Sequence, residues 1–207
     1  MEHRSGLHFL EPRSGSSSPS DRRRRRTSAA ALAGLLALAA QAAGKVFLTQ
    51  QEALRLAFPA GVSVERRTAF LTEAQQQEAR KLARSESLPE ALVTYYVVVK
   101  DGRPVATAYF DTHVVRTQPE TIMVVIDPSG SVRRVEVLSF LEPEDYLPLP
   151  RWYGLFAGRP LDDELSSSRA IRPVAGATLT VRATTEAVRR VLAVHRVIGA
   201  PAAPVSR

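Results

Sequence analysis

Residues 175–180 read AGATLT, and they stand where a short RPV stretch gives way to a helical pattern. Gly176 permits a backbone bend that residues with a side chain resist. Such a bend feeding a helix gathers unpaired backbone N–H groups and the positive end of the helix dipole. A phosphate sits well there. Arg172 and Arg182 lie close enough in sequence to reinforce it. The hydroxyl of Thr178 could donate to that phosphate or be esterified by it. The alternative duty for Thr178 or Thr180 is to cap the helix.

Other reactive residues are sparse. Of the four histidines, His3 and His8 lie in a low-complexity leader. His113 ends a strand pattern beside Asp111 and Arg116, and is read as a ligand contact or a surface histidine. His195 borders the apolar stripe of the last helix and is read as a boundary or solvated residue. No HExxH and no G-x-S-x-G occur, so metal hydrolysis and a serine nucleophile have no support. The chain has no cysteine, which excludes disulfides, thiolate metal sites and a cysteine nucleophile. Glu142, Glu144 and Asp145 form one acidic knot, and Asp162, Asp163 and Glu164 another. Both are expected to be solvated loops.

The elements that position these residues follow from pattern. LTQQEALRLAF (48–58) predicts a short helix, with Thr49 and Glu52 spaced as a capping box. LTEAQQQEARKLARS (71–85) predicts a second, capped by Thr72. LVTYYVVVK (92–100) and VATAYFDTH (105–113) are strand-like, and Asp101-Gly102 between them signals a hairpin. ETIMVVID (120–127) and SVRRVEVLSF (131–140) form a second hairpin, and a bulge would explain the broken alternation of the last strand. The Pro-rich 141–173 stretch predicts short helices near 150–157 and 160–165. A closing helix is predicted from about Thr180 to Ile198. The fold class expected is α+β, an antiparallel sheet of two hairpins packed on helices with a long C-terminal helix. The expected layout is a leader over 1–43, a helical segment over 44–90, the main domain over 91–199 and a loose tail over 200–207.

Charge and leader bound the setting. The net charge is +7, but residues 1–42 hold seven arginines against three acids, and the remainder carries +3. Aromatics gather around residues 140–156 rather than interleaving with a basic face. Nucleic acid is therefore not an expected partner. An arginine block, the uncharged run 29–43 and Ala40-Gln41-Ala42 read as a secretory signal or anchor, which predicts an extracytoplasmic, periplasmic location.

AGATLT resembles the S-G-A-T-[LST]-T signature of the FMN-binding domain family, the flavin-carrying module of sodium-translocating NADH:quinone reductase and Rnf-type electron-transport subunits. TIMVVIDPSGSVRRVEVLSFLEP (121–143) is similar to the hairpin that precedes the signature in that family, and RATTEAVRRVL to the helix that follows it. The resemblance covers roughly residues 95–198. It implies FMN held by its phosphate, as a phosphoester to Thr178 made by a flavin transferase, or non-covalently. Ala175, Gly176, Ala177, Leu179 and Thr180 would surround the attachment point. Trp152, Tyr153 and Glu142 are the candidates to contact the flavin ring. Where the family pattern has an acid three residues before its S/T, this chain has Arg172, and Ala175 replaces the S/T. An arginine there could pair with the flavin phosphate. The implied role is an electron carrier for membrane-bound or exported redox proteins. The alternative is a flavin-free accessory module that docks onto such a complex, and a third reading is an FMN-using reductase.

Overall fold

The computed structural model describes residues 44–58, 60–85, 87 and 91–199. The leader, signal and tail expectations lie outside the described residues. All described residues fall in one compact unit.

Six strands form one antiparallel sheet in the order β1-β6-β5-β4-β3-β2. They are β1 (Lys45–Val46), β2 (Ser63–Phe70), β3 (Leu92–Lys100), β4 (Arg103–Val114), β5 (Pro119–Ile126) and β6 (Val132–Phe140). Helix α1 (Gln50–Ala57) follows β1, α2 (Glu73–Ala83) follows β2, and the short α3 (Pro150–Tyr153) and long α4 (Thr178–Ile198) follow β6. The α+β class read from the sequence is the observed one.

The sheet is covered on both faces. One face carries Val97, Ile122, Val124 and Ile126 against Phe156, Val188 and Leu192. The other carries Val98, Ala106, Ala108, Met123 and Val125 against Ala53 and Phe58 of α1. This explains why β5 reads as a continuous apolar run: both sets of its side chains are buried. β6 shifts register twice against β5, the bulging that its broken alternation implied. Asp101 and Gly102 both take positive φ, as a tight hairpin turn requires. Gly44 is fixed by space, since a Cβ there would lie 2.2 Å from the Leu141 Cα.

Both N-terminal helices start as read. Thr49 and Glu52 form a complete capping box, and so do Thr72 and Gln75. Two expectations need correction. Strand β2 runs through what reads as a helical segment; its SVERRTAF sequence lacks apolar alternation because it is a sheet edge, and its charges discourage further pairing. No helix forms over 160–165. There Asp162 Oδ1 accepts from the backbone N–H of Glu164 and Leu165, at 2.9 and 3.0 Å, and so competes with a helical turn. Among the described residues no helix is long and apolar enough to cross a membrane.

Helix α4 is tied to α2 by Arg189. This guanidinium is buried and donates to four carbonyls: Leu82 and Ala83 at the end of α2, and Asp162 and Leu165 of the irregular stretch. A cation at a helix C-terminus satisfies orphan carbonyls and suits the dipole. Ala79, Ala83 and Ala193 form the small-residue seam where the two helices meet. Arg189→Met keeps the aliphatic bulk and orphans these carbonyls. It is expected to lower unfolding free energy by roughly 2–4 kcal/mol, read from urea denaturation.

Candidate functional site

The predicted turn exists. Gly176 sits at φ +83°, in the left-handed region, and the Asp145 carbonyl lies 4.0 Å from where a Cβ would stand. Ala177 occupies the N-cap position without a side-chain cap, and the first helical bond runs from the Val181 N–H to the Ala177 carbonyl at 2.9 Å. Helix α4 therefore begins at Thr178, two residues before the expected start. Neither threonine caps it. Thr180 is buried and donates to the Tyr146 carbonyl at 2.6 Å. Thr178 is exposed, and its hydroxyl has no partner among the described residues. Leu179 is half exposed, Ala175 and Arg172 are exposed, and the Arg172 guanidinium makes no ion pair among the described residues.

The motif and the 142–153 stretch come together in space, as bonds from Thr180 to Tyr146 and from Trp152 Nε1 to the Arg172 carbonyl (2.8 Å) record. The three expected ring contacts have other partners, however. Trp152 is buried and edge-on to Tyr153 and Phe156. Tyr153 donates to Glu120. Glu142 Oε1 accepts from the Thr117 N–H at 2.6 Å, the Gln118 N–H at 2.9 Å and the Thr117 hydroxyl at 3.1 Å. Those bonds, led by the Thr117 amide, hold its carboxyl below the usual range. Glu142 thus clamps the β4–β5 turn. The remaining acids of the two knots are mostly paired: Glu144 with Lys45, Asp163 with Arg84, Glu164 with Arg169.

A second polar constellation lies under the sheet. Glu120 is fully buried and its oxygens accept from three donors: Tyr153 at 3.0 Å, Thr184 at 2.7 Å and His113 Nε2 at 2.9 Å. His113 Nδ1 donates to Asp111 Oδ1 at 3.0 Å, which also receives Arg190 Nη2 at 3.0 Å. The order is Glu120, His113, Asp111, Arg190, with alternating charge when the imidazole is protonated. Burial alone would push the His113 pKa down, but the bonds to Asp111 and Glu120 and their charges outweigh it and raise it. Both ring nitrogens then carry donating hydrogens, so His113 has no lone pair for a proton or a metal. Its neighbour in the sequence reading, Arg116, instead stacks over the Tyr146 ring at 4.7 Å.

Sequence reasoning missed Glu120, Thr184 and Arg190. The signal was hairpin register: a turn at 115–118 pairs His113 with Glu120 directly across the strands. His195 also differs from expectation. It is buried, its Nδ1 bonds the Tyr109 hydroxyl at 3.0 Å, and burial lowers its pKa.

Two hollows flank these groups. One, of about 750 Å³, is lined by Asp111, His113 and Arg190. The other, of about 450 Å³, lies against β6 and is lined by Leu147, Pro148, Pro150 and Tyr153. Residues 172–180 line neither.

The raised His113 pKa stabilises the fold fully below the unfolded value, about 6.5, and that contribution fades as pH rises through the folded value. His195 works in the opposite sense, since its lowered pKa makes acid destabilising below about 6.5. His113→Gln is expected to flatten the decline in stability above about pH 6.5 while leaving the acid-side loss in place. Urea midpoints measured from pH 5 to 9 check both limbs.

No family model, no curated protein and no solved structure matches the chain.

Proposed function

We propose that this domain carries one FMN, joined through its phosphate to Thr178 Oγ1, and relays electrons for a membrane-associated redox system outside the cytoplasm. One observation carries the reading. The Thr178 hydroxyl is exposed and without a partner among the described residues, on a first helical turn with no side-chain cap, immediately behind the bend at Gly176. The ordinary duties of a threonine here are already taken: Ala177 holds the cap position and Thr180 makes the inward hydrogen bond.

The surroundings favour an ester over a loose complex. A non-covalent phosphate site would need a pocket around 172–180, and neither main hollow includes those residues. A tether needs only a hydroxyl that a transferase can reach. Ala175, Gly176 and Ala177 keep the approach free of bulk. The bare N–H groups of the first turn of α4 and the exposed Arg172 would face the phosphate oxygens. Leu179 offers an exposed apolar surface. The hollow against β6, at about 450 Å³, is within the size range of cofactor sites. Its Leu147 directly follows Tyr146, which is bonded to Thr180. FMN when bound supplies the redox chemistry, and the protein supplies its position and surroundings.

A second reading has its own observation. Arg172 stands where the family pattern has an acid, and Ala175 where it has S/T. On that reading the fold is kept, flavin is absent, and the domain is an accessory module of a redox complex.

The full chain co-expressed with a flavin transferase is expected to be yellow, to keep its colour through acid denaturation, and to gain the mass of one FMN less one water. Thr178→Ala should abolish that increment and Thr180→Ala should retain it. Colourless protein that also takes up no added FMN would establish the flavin-free module instead.

A further inference from the structure

β3 and β4 are paired from their shared turn only as far as Tyr95 and Tyr109. Beyond that pair the strands part. Leu92, Val93 and Thr94 remain bonded to β2, and Phe110 to Val114 remain bonded to β5. Two open strand edges therefore face one another inside a six-stranded sheet. The hollow of about 750 Å³ occupies this fork, lined by these parts of both strands and by Glu186, Arg190, Val191 and Val194 of α4. An open edge is a template for another strand.

The floor of the fork carries free hydrogen-bonding capacity. Arg190 is about nine-tenths buried and donates Nη2 to Asp111 Oδ1. Its Nε and Nη1 have no partner among the described residues, and neither has Asp111 Oδ2. No fully buried side-chain polar atom among the described residues lacks a partner, so these atoms reach the open space that both residues line. Arg190 and Asp111 thus present donors and an acceptor side by side, the complement of a peptide group. Asp111, His113, Glu120 and Arg190 nearly cancel in charge, so the floor favours a neutral guest. Exposed apolar side chains stand at the mouth of the fork, Leu92 at 58% and Val114 at 62% exposure, beside the polar Ser85, Thr94 and Thr112.

We infer that the fork is a docking site for an extended, uncharged, apolar segment of a partner protein. The segment adds as a short strand on the open edge of β4. Its main chain also bonds Asp111 and Arg190, and its side chains cover Leu92 and Val114. Glu186 lies eight residues after Thr178, about 12 Å along the helix axis. The fork is therefore separate from the flavin turn and does not rest on the flavin reading.

The test uses the full chain with acetyl-Val-Thr-Val-Thr-Val-amide and an analogue N-methylated at alternate residues, which keeps the side chains and loses main-chain donors. NMR titration and hydrogen exchange read the amides of Phe110–Val114 that do not bond β5. The plain peptide is expected to slow their exchange and to bind at least about tenfold more tightly than the methylated one. Arg190→Gln should weaken binding further; if that variant does not fold, the peptide pair decides alone. Equal binding of both peptides would overturn the proposal. So would protection confined to the outer edge of β2, protection of these amides without peptide, or no response at millimolar peptide.

Discussion

A carboxylate with no access to water sits at the centre of this fold. Glu120 lies on a central strand, and burying an unpaired charge there costs several kcal/mol. The structure meets that cost by surrounding the two oxygens with donors from three elements. His113 comes from the adjacent strand, Tyr153 from α3 and Thr184 from α4. Apolar packing alone would let a long helix slide over a sheet of valines and isoleucines. Three hydrogen bonds to one point do not. Glu120 therefore sets where α4 crosses the sheet, and with it where Thr178 emerges.

The same carboxylate sets the character of the floor beneath the fork. Because Glu120 stabilises a protonated His113, Asp111 is needed on the other ring nitrogen, and Arg190 balances Asp111. Each charge in the row is explained by the one before it. The row ends at Arg190, whose remaining donors have no acceptor among the described residues. The polarity of the hollow is thus a consequence of burying Glu120. It also fixes Tyr153: burial, with the Glu120 charge added, raises the energy of its ionised form, and Glu120 holds its hydroxyl as a donor.

Local signals carried much of the fold. The capping box at Thr49, the N-cap at Thr72, the Asp101-Gly102 turn and the strand runs all read correctly, because each depends on close neighbours in sequence. β2 was illegible because an edge strand with charged residues has no apolar period to detect. The Gly176 bend and the helix after it were legible, but the distinct fates of Thr178 and Thr180 were not. Which hydroxyl turns inward depends on the Tyr146 carbonyl, contributed from a short 3-10 turn thirty-four residues earlier. Trp152, Tyr153 and Glu142 look chemically able to meet a ring. Their actual partners, Arg172, Glu120 and the 117–118 amides, are set by tertiary packing that composition does not encode.

The alanine seam between α2 and α4 is a spacer as well as a contact. Arg189 reaches the Leu82 and Ala83 carbonyls because Ala79, Ala83 and Ala193 let the two helix backbones come close. Bulk added at any of these three positions would pry the helices apart and strand the guanidinium. Among descendants of this sequence, drift at the three alanines and at Arg189 should be correlated, with enlargement of the first tolerated only where the cation has been given up.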